Sequence, residues 1–203
     1  MIEQYVPAPT QAATRRAVEE IQASGLLTQV VSVGAQITQF ELSDQNGNSV
    51  SSHELLTRGG LVLTFFRGRW CPFCVAQLEA MSEIVGQVRA LGAEFLAISP
   101  QTVHQSSLMR DQHGLNFLLL SDAGNAVARQ FGLVYRVPDY QQAIYARAFT
   151  NLPFINGDAS WELPVPATFV VGQDGGVRWA WVTADYTQRP EPAEIFKALN
   201  SIR

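Results

Sequence analysis

Cysteine is scarce in this chain: its 203 residues hold two, Cys71 and Cys74, three positions apart. No disulfide framework can be built across a fold from such a pair. Histidine is scarce too, since His53, His104 and His113 are scattered and no second Cys-x-x-Cys accompanies them. A zinc ligand set is therefore poorly supported, and no metal is expected. Lys and Arg number 14 against 18 Asp and Glu, a net charge of -4, and no basic run occurs. That balance argues against nucleic acid or an anionic membrane as partner. No stretch of about 18 apolar residues is present, which excludes a membrane-spanning helix. The opening MIEQYVPAPTQAATRR lacks the basic start and unbroken apolar stretch of a secretory signal. The cytoplasm is the expected compartment.

What is present is a chain 47% apolar, of a length that suits one core with decorations. Ala13, Ala17, Val18 and Ile21 form one stripe, which predicts a helix over Thr10 to Ser24, ended by Gly25. Thr38 to Leu42 alternates in a strand period and runs into Asp44-Gln45-Asn46-Gly47, a hairpin turn. Ser51 or Ser52 can cap a short turn through Leu56. Leu61 to Phe66 is continuously apolar, as a central strand buried on both faces would be. Pro72 suits the first position of a helix, which makes Cys71 its N-cap, and Leu78, Met81, Ile84, Val85 and Val88 continue the helix to Leu91. Alternation goes on through a strand at Phe95 to Ser99, a helix at Val103 to His113, a strand at Phe117 to Leu120 and a short helix at Asn125 to Phe131. This rhythm predicts an α/β fold with a mostly parallel sheet and helices on both faces. Residues 133–164 break the rhythm and are rich in aromatics, with one helix predicted at Tyr140 to Ala148. A hairpin over Ala167 to Val182 and a helix from Glu191 to Ile202 close the chain.

The sharp signal is Trp70-Cys71-Pro72-Phe73-Cys74. A Cys-x-x-Cys pair that follows a buried strand and opens a helix is the mark of a thioredoxin-like redox site. The unpaired N–H groups and dipole at the helix start favour a thiolate, the reactive form of cysteine. Arg67 and Arg69 stand close enough in sequence to add positive charge. The second thiol can reach back over one turn to close a disulfide. Half a zinc site and an inert buried pair are the weaker readings.

From about Val33 onward the chain resembles the alkyl hydroperoxide reductase and thiol-specific antioxidant family, in its peroxiredoxin-like branch with Cys-Pro-x-Cys. The likeness rests on Phe40-Glu41-Leu42, Asn46-Gly47, Leu61 to Phe66 and Cys71 to Cys74. It implies a thioredoxin-like central mixed sheet, with residues 1–32 as a helical arm, 33–203 as the redoxin domain and an insertion at about 133–164. Peroxiredoxins usually carry Pro-x-x-x-Thr-x-x-Cys here. On that pattern Arg67 replaces the Pro, Cys71 replaces the Thr and Cys74 falls on the peroxide-reactive position. The family's later Arg falls on Pro166. In thioredoxins the same place is a cis-proline, and Val165-Pro166-Ala167-Thr168-Phe169 resembles it, so Trp70, Pro72, Phe73, Val165 and Pro166 are the expected substrate groove. Thioredoxins also keep a buried acid where this chain has Phe65, which leaves Glu79 and Glu162 as candidate proton acceptors.

Two activities follow from the resemblance. One is reduction of hydroperoxides through a Cys71–Cys74 dithiol cycle; the alternative is protein disulfide reduction with Cys71 as nucleophile. A thioredoxin-fold binding module whose aromatic insertion forms the interface is the third reading. No metal or organic cofactor is implied. Electrons would come from a thiol donor such as a thioredoxin or glutathione system, and a homodimer is compatible with the family.

Overall fold

The six residues of β3 (Gly60–Phe65) are all buried, and the rest of the fold is arranged around them. Side chains alternate across a strand, so Leu61, Leu63 and Phe65 enter one core while Val62 and the following Phe66 enter another on the opposite face. β4 (Ala93–Ser99) runs parallel to β3, and β5 (Leu118–Ser121) runs parallel to β4. β8 (Ala167–Val171) lies antiparallel on the other side of β3, followed by β9 (Val177–Val182). The hairpin of β1 (Glu41–Ser43) and β2 (Ser49–Ser51) extends the far edge, giving a seven-stranded sheet. Its order is β2-β1-β5-β4-β3-β8-β9. The mostly parallel sheet read from the sequence is therefore a mixed one: among the described residues its parallel pairings are β3–β4 and β4–β5, because β1 and β8 enter from connections that reverse the chain. The computed structural model describes residues 8–200, so the expected helix end at Ile202 and the first seven residues of the arm lie outside the described residues.

Helices cover both faces, as the β-α rhythm implies. The long α3 (Pro72–Ala90) buries Leu78, Met81, Val85 and Val88 against the Val62 face, beside Met109 of α4 (Val103–His113) and Ile195 and Leu199 of α8 (Pro192–Asn200). The opposite face takes Ile21 of α1 (Ala8–Ala23), Leu56 of α2 (Ser52–Leu56) and Val127 of α5 (Ala126–Gln130). At its centre Phe65, Phe131 and Phe169 form a three-ring cluster with centroids 4.9 to 6.1 Å apart.

Residues 133–164 are more ordered than their sequence rhythm suggested. β6 (Val134–Arg136) pairs antiparallel with β7 (Glu162–Pro164), tying the segment's two ends together beside the main sheet. Between them lie α6 (Asp139–Arg147), close to the expected helix, and α7 (Leu152–Asn156), which was not expected. Val137, Leu152 and Leu163 make a small separate core, against which Tyr135, Tyr145, Trp161 and also Trp70 pack. The aromatics thus bury their own core and reach the dithiol loop. α1 docks on α6 through Arg16 over the Tyr140 ring at 4.4 Å and Tyr140 Oη donating to Glu20 at 2.8 Å. Among the described residues no helix is long and apolar enough to cross a membrane.

Candidate active site

β3 delivers the chain to the site and a tight loop turns it into α3. The Phe66 N–H still donates to Ile98 O at 3.0 Å, one residue beyond the strand. Gly68 then takes φ 137°, where a side chain is disfavoured, and a Cβ there would lie 2.7 Å from Trp70 Nε1. The Cys71 N–H donates back to Gly68 O at 3.1 Å. Cys71 is the N-cap, extended at φ -93° and ψ 110°, with Pro72 next at the start of the helix. Its carbonyl accepts the N–H of Cys74 at 3.0 Å and of Val75 at 3.1 Å, so both sulfurs sit in the first helical turn. Both cysteines are reduced and buried.

Each sulfur has its own guanidinium. Arg67 is only 1% exposed, among the largest fully buried side chains. A buried cation requires compensation, and among the described residues none comes from a carboxylate. Its Nη1 lies 3.9 Å from Cys71 Sγ, and Nη2 donates to the Tyr145 hydroxyl. Its guanidinium carbon stands 3.9 Å from the ring centroid of Tyr186 and 4.7 Å from that of Trp70. Burial opposes the charge, but Tyr145, Tyr135 and Cys71 outweigh it and hold Arg67 well above the usual arginine pKa. The second guanidinium is that of Arg189, whose Nη2 donates to Cys74 Sγ at 3.1 Å.

The two thiols are driven apart in acidity. Cys74 donates a hydrogen bond to the Cys71 sulfur, Arg67 adds its charge, and together they overcome burial and bring the Cys71 pKa down to about 5. Burial and the bond to Cys71 push the Cys74 thiol well above its ordinary value. At neutral pH the reduced site is a Cys71 thiolate beside a protonated Cys74.

A cavity of ≈ 310 Å³ opens onto Cys71. It is lined by Arg67, Trp70, Pro72 and Phe73, by Ile144 and Tyr145 of α6, by Tyr186 and Thr187, and by Thr10, Gln11, Thr14 and Arg15 of α1. Cys74 does not line it. Among the described residues no group of three His, Cys, Asp or Glu is placed to hold a metal ion.

Of the residues singled out from sequence, Arg67, Trp70, Cys71, Pro72 and Phe73 meet at this cavity, with Cys74 directly behind. Arg69 does not: its Nε donates to Gln105 at 2.6 Å and its Nη1 to Gln112 at 3.1 Å, so α4 draws its charge away from the sulfurs. Val165 and Pro166 do not line the cavity either. Every peptide bond among the described residues is trans, so Pro166 is not the expected cis-proline. Both residues are buried; the Val165 N–H donates to Leu133 O at 2.9 Å and the Pro166 carbonyl accepts from Thr183 at 3.2 Å. Glu79 pairs with His113 and Glu162 with Arg129, and neither lines the cavity at Cys71. Arg189, Tyr145 and Tyr186 escaped the sequence reading. Arg189 lies 115 positions from Cys74, and no motif around Gln188 and Pro190 marks it.

The fold and the paired thiols define a thioredoxin-fold protein of peroxiredoxin type with its dithiol at a helix N-terminus. The chain belongs to the AhpC/TSA family, whose profile matches residues 33–180. It is 30% identical over 103 residues to the thiol-disulfide oxidoreductase ResA of Halalkalibacterium halodurans, an overlap of 49% of this chain and 56% of that one. It is also 30% identical over 110 residues to the chloroplastic peroxiredoxin Q of Triticum aestivum, covering 54% of this chain and 50% of the relative. The chain thus spans about half the length of the curated relatives it matches. In fold it is similar to the peroxidoxin BcpB from Mycobacterium tuberculosis, with a TM-score of 0.67 at 22% identity over 85% of this chain and 99% of the other.

Proposed function

We propose that this protein is a thiol peroxidase in which Cys71 attacks the hydroperoxide and Cys74 resolves the product. The observation that carries this reading is the cavity, whose lining includes Cys71 and not Cys74. The Cys71 thiolate attacks the terminal oxygen of ROOH, the O–O bond breaks, and the departing RO⁻ takes a proton to become ROH. Arg67 and Tyr145 line the same cavity and carry N–H and O–H groups for that oxygen. Tyr145 accepts from Arg67 and, being buried, is held neutral far above neutral pH, so it keeps a proton to offer. The Cys74 thiol then attacks the Cys71 sulfenic acid, water leaves, and a disulfide forms. A thiol donor of thioredoxin or glutathione type returns the pair to the reduced state, in the cytoplasm, with no metal or organic cofactor.

This polarity is the reverse of the one implied by superposing the family motif, in which Cys74 takes the peroxide. Protein disulfide reduction, the other activity compatible with Cys71 as nucleophile, is less well supported. A polypeptide substrate needs an open backbone edge beside the dithiol, and the hydrogen bonds of Val165 and Pro166 are already made within the fold. The test is rapid-mixing oxidation of the reduced protein and of Cys71→Ser and Cys74→Ser. Loss of the fast reaction only in Cys71→Ser is the expected result. Loss only in Cys74→Ser reverses the assignment, and oxidation no faster than a free thiol in all three removes the peroxidase.

A further inference from the structure

The oxidation described above places Arg67 at Cys71, whereas the sulfur that Arg189 touches is Cys74. Arg189 enters on the segment between β9 and α8 and is half-buried, with its Nη1 donating to the carbonyls of Tyr186 at 2.6 Å and Gln188 at 2.5 Å. Those bonds fix the guanidinium so that Nη2 lies 3.1 Å from Cys74 Sγ. Its Nε is buried without a partner, and among the described residues no carboxylate pairs with it. A cation so held also helps to lower the Cys71 pKa, but the sulfur it touches is Cys74, a neutral thiol in the resting site, so it gains a counter-charge in direct contact only when that sulfur becomes an anion.

That moment comes when the disulfide is reduced. A donor thiolate can reach only the sulfur that faces the cavity, which is Cys71. It bonds to Cys71 Sγ, the Cys71–Cys74 bond breaks, and the electron pair leaves on Cys74 as a thiolate. A second donor thiol then attacks the donor sulfur of the mixed disulfide and expels the Cys71 thiolate; the donor is oxidised to its disulfide, and a proton returns to Cys74. Exchange of this kind speeds up as the leaving thiolate becomes more stable. With Cys71 tied up as a neutral mixed disulfide, Arg189 is the charge in contact with the leaving sulfur.

We infer that Arg189 is a catalytic residue of the reductive half-reaction, stabilising the Cys74 thiolate as it leaves, while Arg67 serves the Cys71 thiolate in the oxidative half. The fold divides the cycle between two arginines, one per sulfur. The inference rests on the reading that Cys71 is the sulfur open to attack. The burial that raises the Cys74 pKa makes such help necessary, since without a cation this sulfur would be a poor leaving group.

The test separates the halves. The disulfide is prepared with diamide, so the experiment does not depend on peroxide reactivity, and its reduction by dithiothreitol is followed in wild type, Arg189→Met and Arg189→Lys. Oxidation of the reduced forms by hydrogen peroxide is followed alongside. Arg189→Met is expected to slow reduction about tenfold or more, and at least about five times more than it slows oxidation, with Arg189→Lys recovering most of the loss. In a Cys71→Ser background the single thiol Cys74 is titrated by its ultraviolet absorbance, and Arg189→Met should raise its pKa by about one unit or more. Equal slowing of both halves, or an unmoved Cys74 titration, overturns the assignment. Slowed reduction in Arg67→Met with none in Arg189→Met would mean that the donor attacks Cys74 and would overturn both this inference and the assigned polarity. A wild type that exchanges disulfides normally but ignores peroxide would remove the peroxidase alone.

Discussion

Arg67 and Tyr186 stack with the guanidinium carbon 3.9 Å from the ring centroid, and the same guanidinium reaches to 3.9 Å from Cys71 Sγ. Tyr186 in turn shares a 2.8 Å hydrogen bond with Thr14 of α1 and packs 6.2 Å from Phe73. The thiolate's counter-cation is thus held by an aromatic that belongs neither to the dithiol loop nor to the strand before it. Charge, wall and arm meet at one residue pair.

If Arg67 is the principal cation for Cys71, removing its charge while keeping its bulk must raise the thiol's pKa. For Arg67→Met the expected rise is about 1–3 units, the usual effect of an opposite charge at this range. Through the thiolate fraction alone, the second-order rate with hydrogen peroxide at pH 6 should fall by about twofold for a one-unit rise to about ninetyfold for three units, and that part of the loss should recover as pH rises. A pH series of rapid-mixing rates checks this; an unchanged midpoint would assign the low pKa to the Cys74 hydrogen bonds and Arg189.

The same shift links to stability. In the folded protein Cys71 titrates at about 5, while an unfolded cysteine titrates near ~8.5. Between these values the unfolded chain binds the extra proton, so folded-state stability rises with pH. The contribution is fully present above the unfolded value and is lost as pH falls through the folded one. Cys74 has the opposite sign: its raised pKa means that the folded state holds the proton longer, and stability declines above about pH 8.5. The difference in melting temperature between reduced wild type and Cys71→Ser should therefore grow from pH 5 to about 8.5. A flat difference would show that Cys71 is not a thiolate in the fold.

How much of this was legible in the sequence depends on the range of the interaction. Local signals were sufficient for the Ser51 cap, the Asn46-Gly47 turn, the buried β3 and the placement of Cys71 and Pro72 at the start of α3, because each is decided within a few residues. Arg67 was legible only as a charge near the sulfurs; its burial depends on Tyr145 and Tyr186, 78 and 119 positions away. Arg69 shows the limit of proximity, since Gln105 and Gln112 on α4 satisfy it instead. Pro166 misled because a proline before a strand looks alike in sequence whether its peptide is cis or trans. The β6–β7 pair was missed because three-residue strands 26 positions apart leave no periodic trace.

Gly132 fixes how closely the chain before β6 approaches the segment after α1. It has φ 71°, and a Cβ there would stand 2.3 Å from Gln29 O, a backbone atom that cannot rotate away. Gly132→Ala combines the left-handed cost with that clash, so a loss of about 3 kcal/mol and a melting temperature lower by roughly 6–12 °C are expected. Thermal melts of the reduced variant test it, and a loss under about 1 kcal/mol would mean that the Gln29 to Val30 backbone moves aside freely.

The cavity sets the last expectation. At ≈ 310 Å³ it is far larger than hydrogen peroxide requires and is lined mainly by apolar groups from four parts of the chain. Space of that kind contributes to binding only for a substrate with an apolar body. Ile144 lines it from α6, so Ile144→Trp should take up much of the volume while leaving Cys71, Arg67 and Arg189 in place. The rate with cumene hydroperoxide is expected to fall about tenfold or more, while the rate with hydrogen peroxide changes by less than about threefold. Oxidising each variant with both peroxides measures the ratio directly. If both rates fall together, the cavity is the common approach path and does not discriminate by size; if neither falls, peroxide reaches Cys71 by another route, and the walls supplied by α1 and α6 have a structural role only.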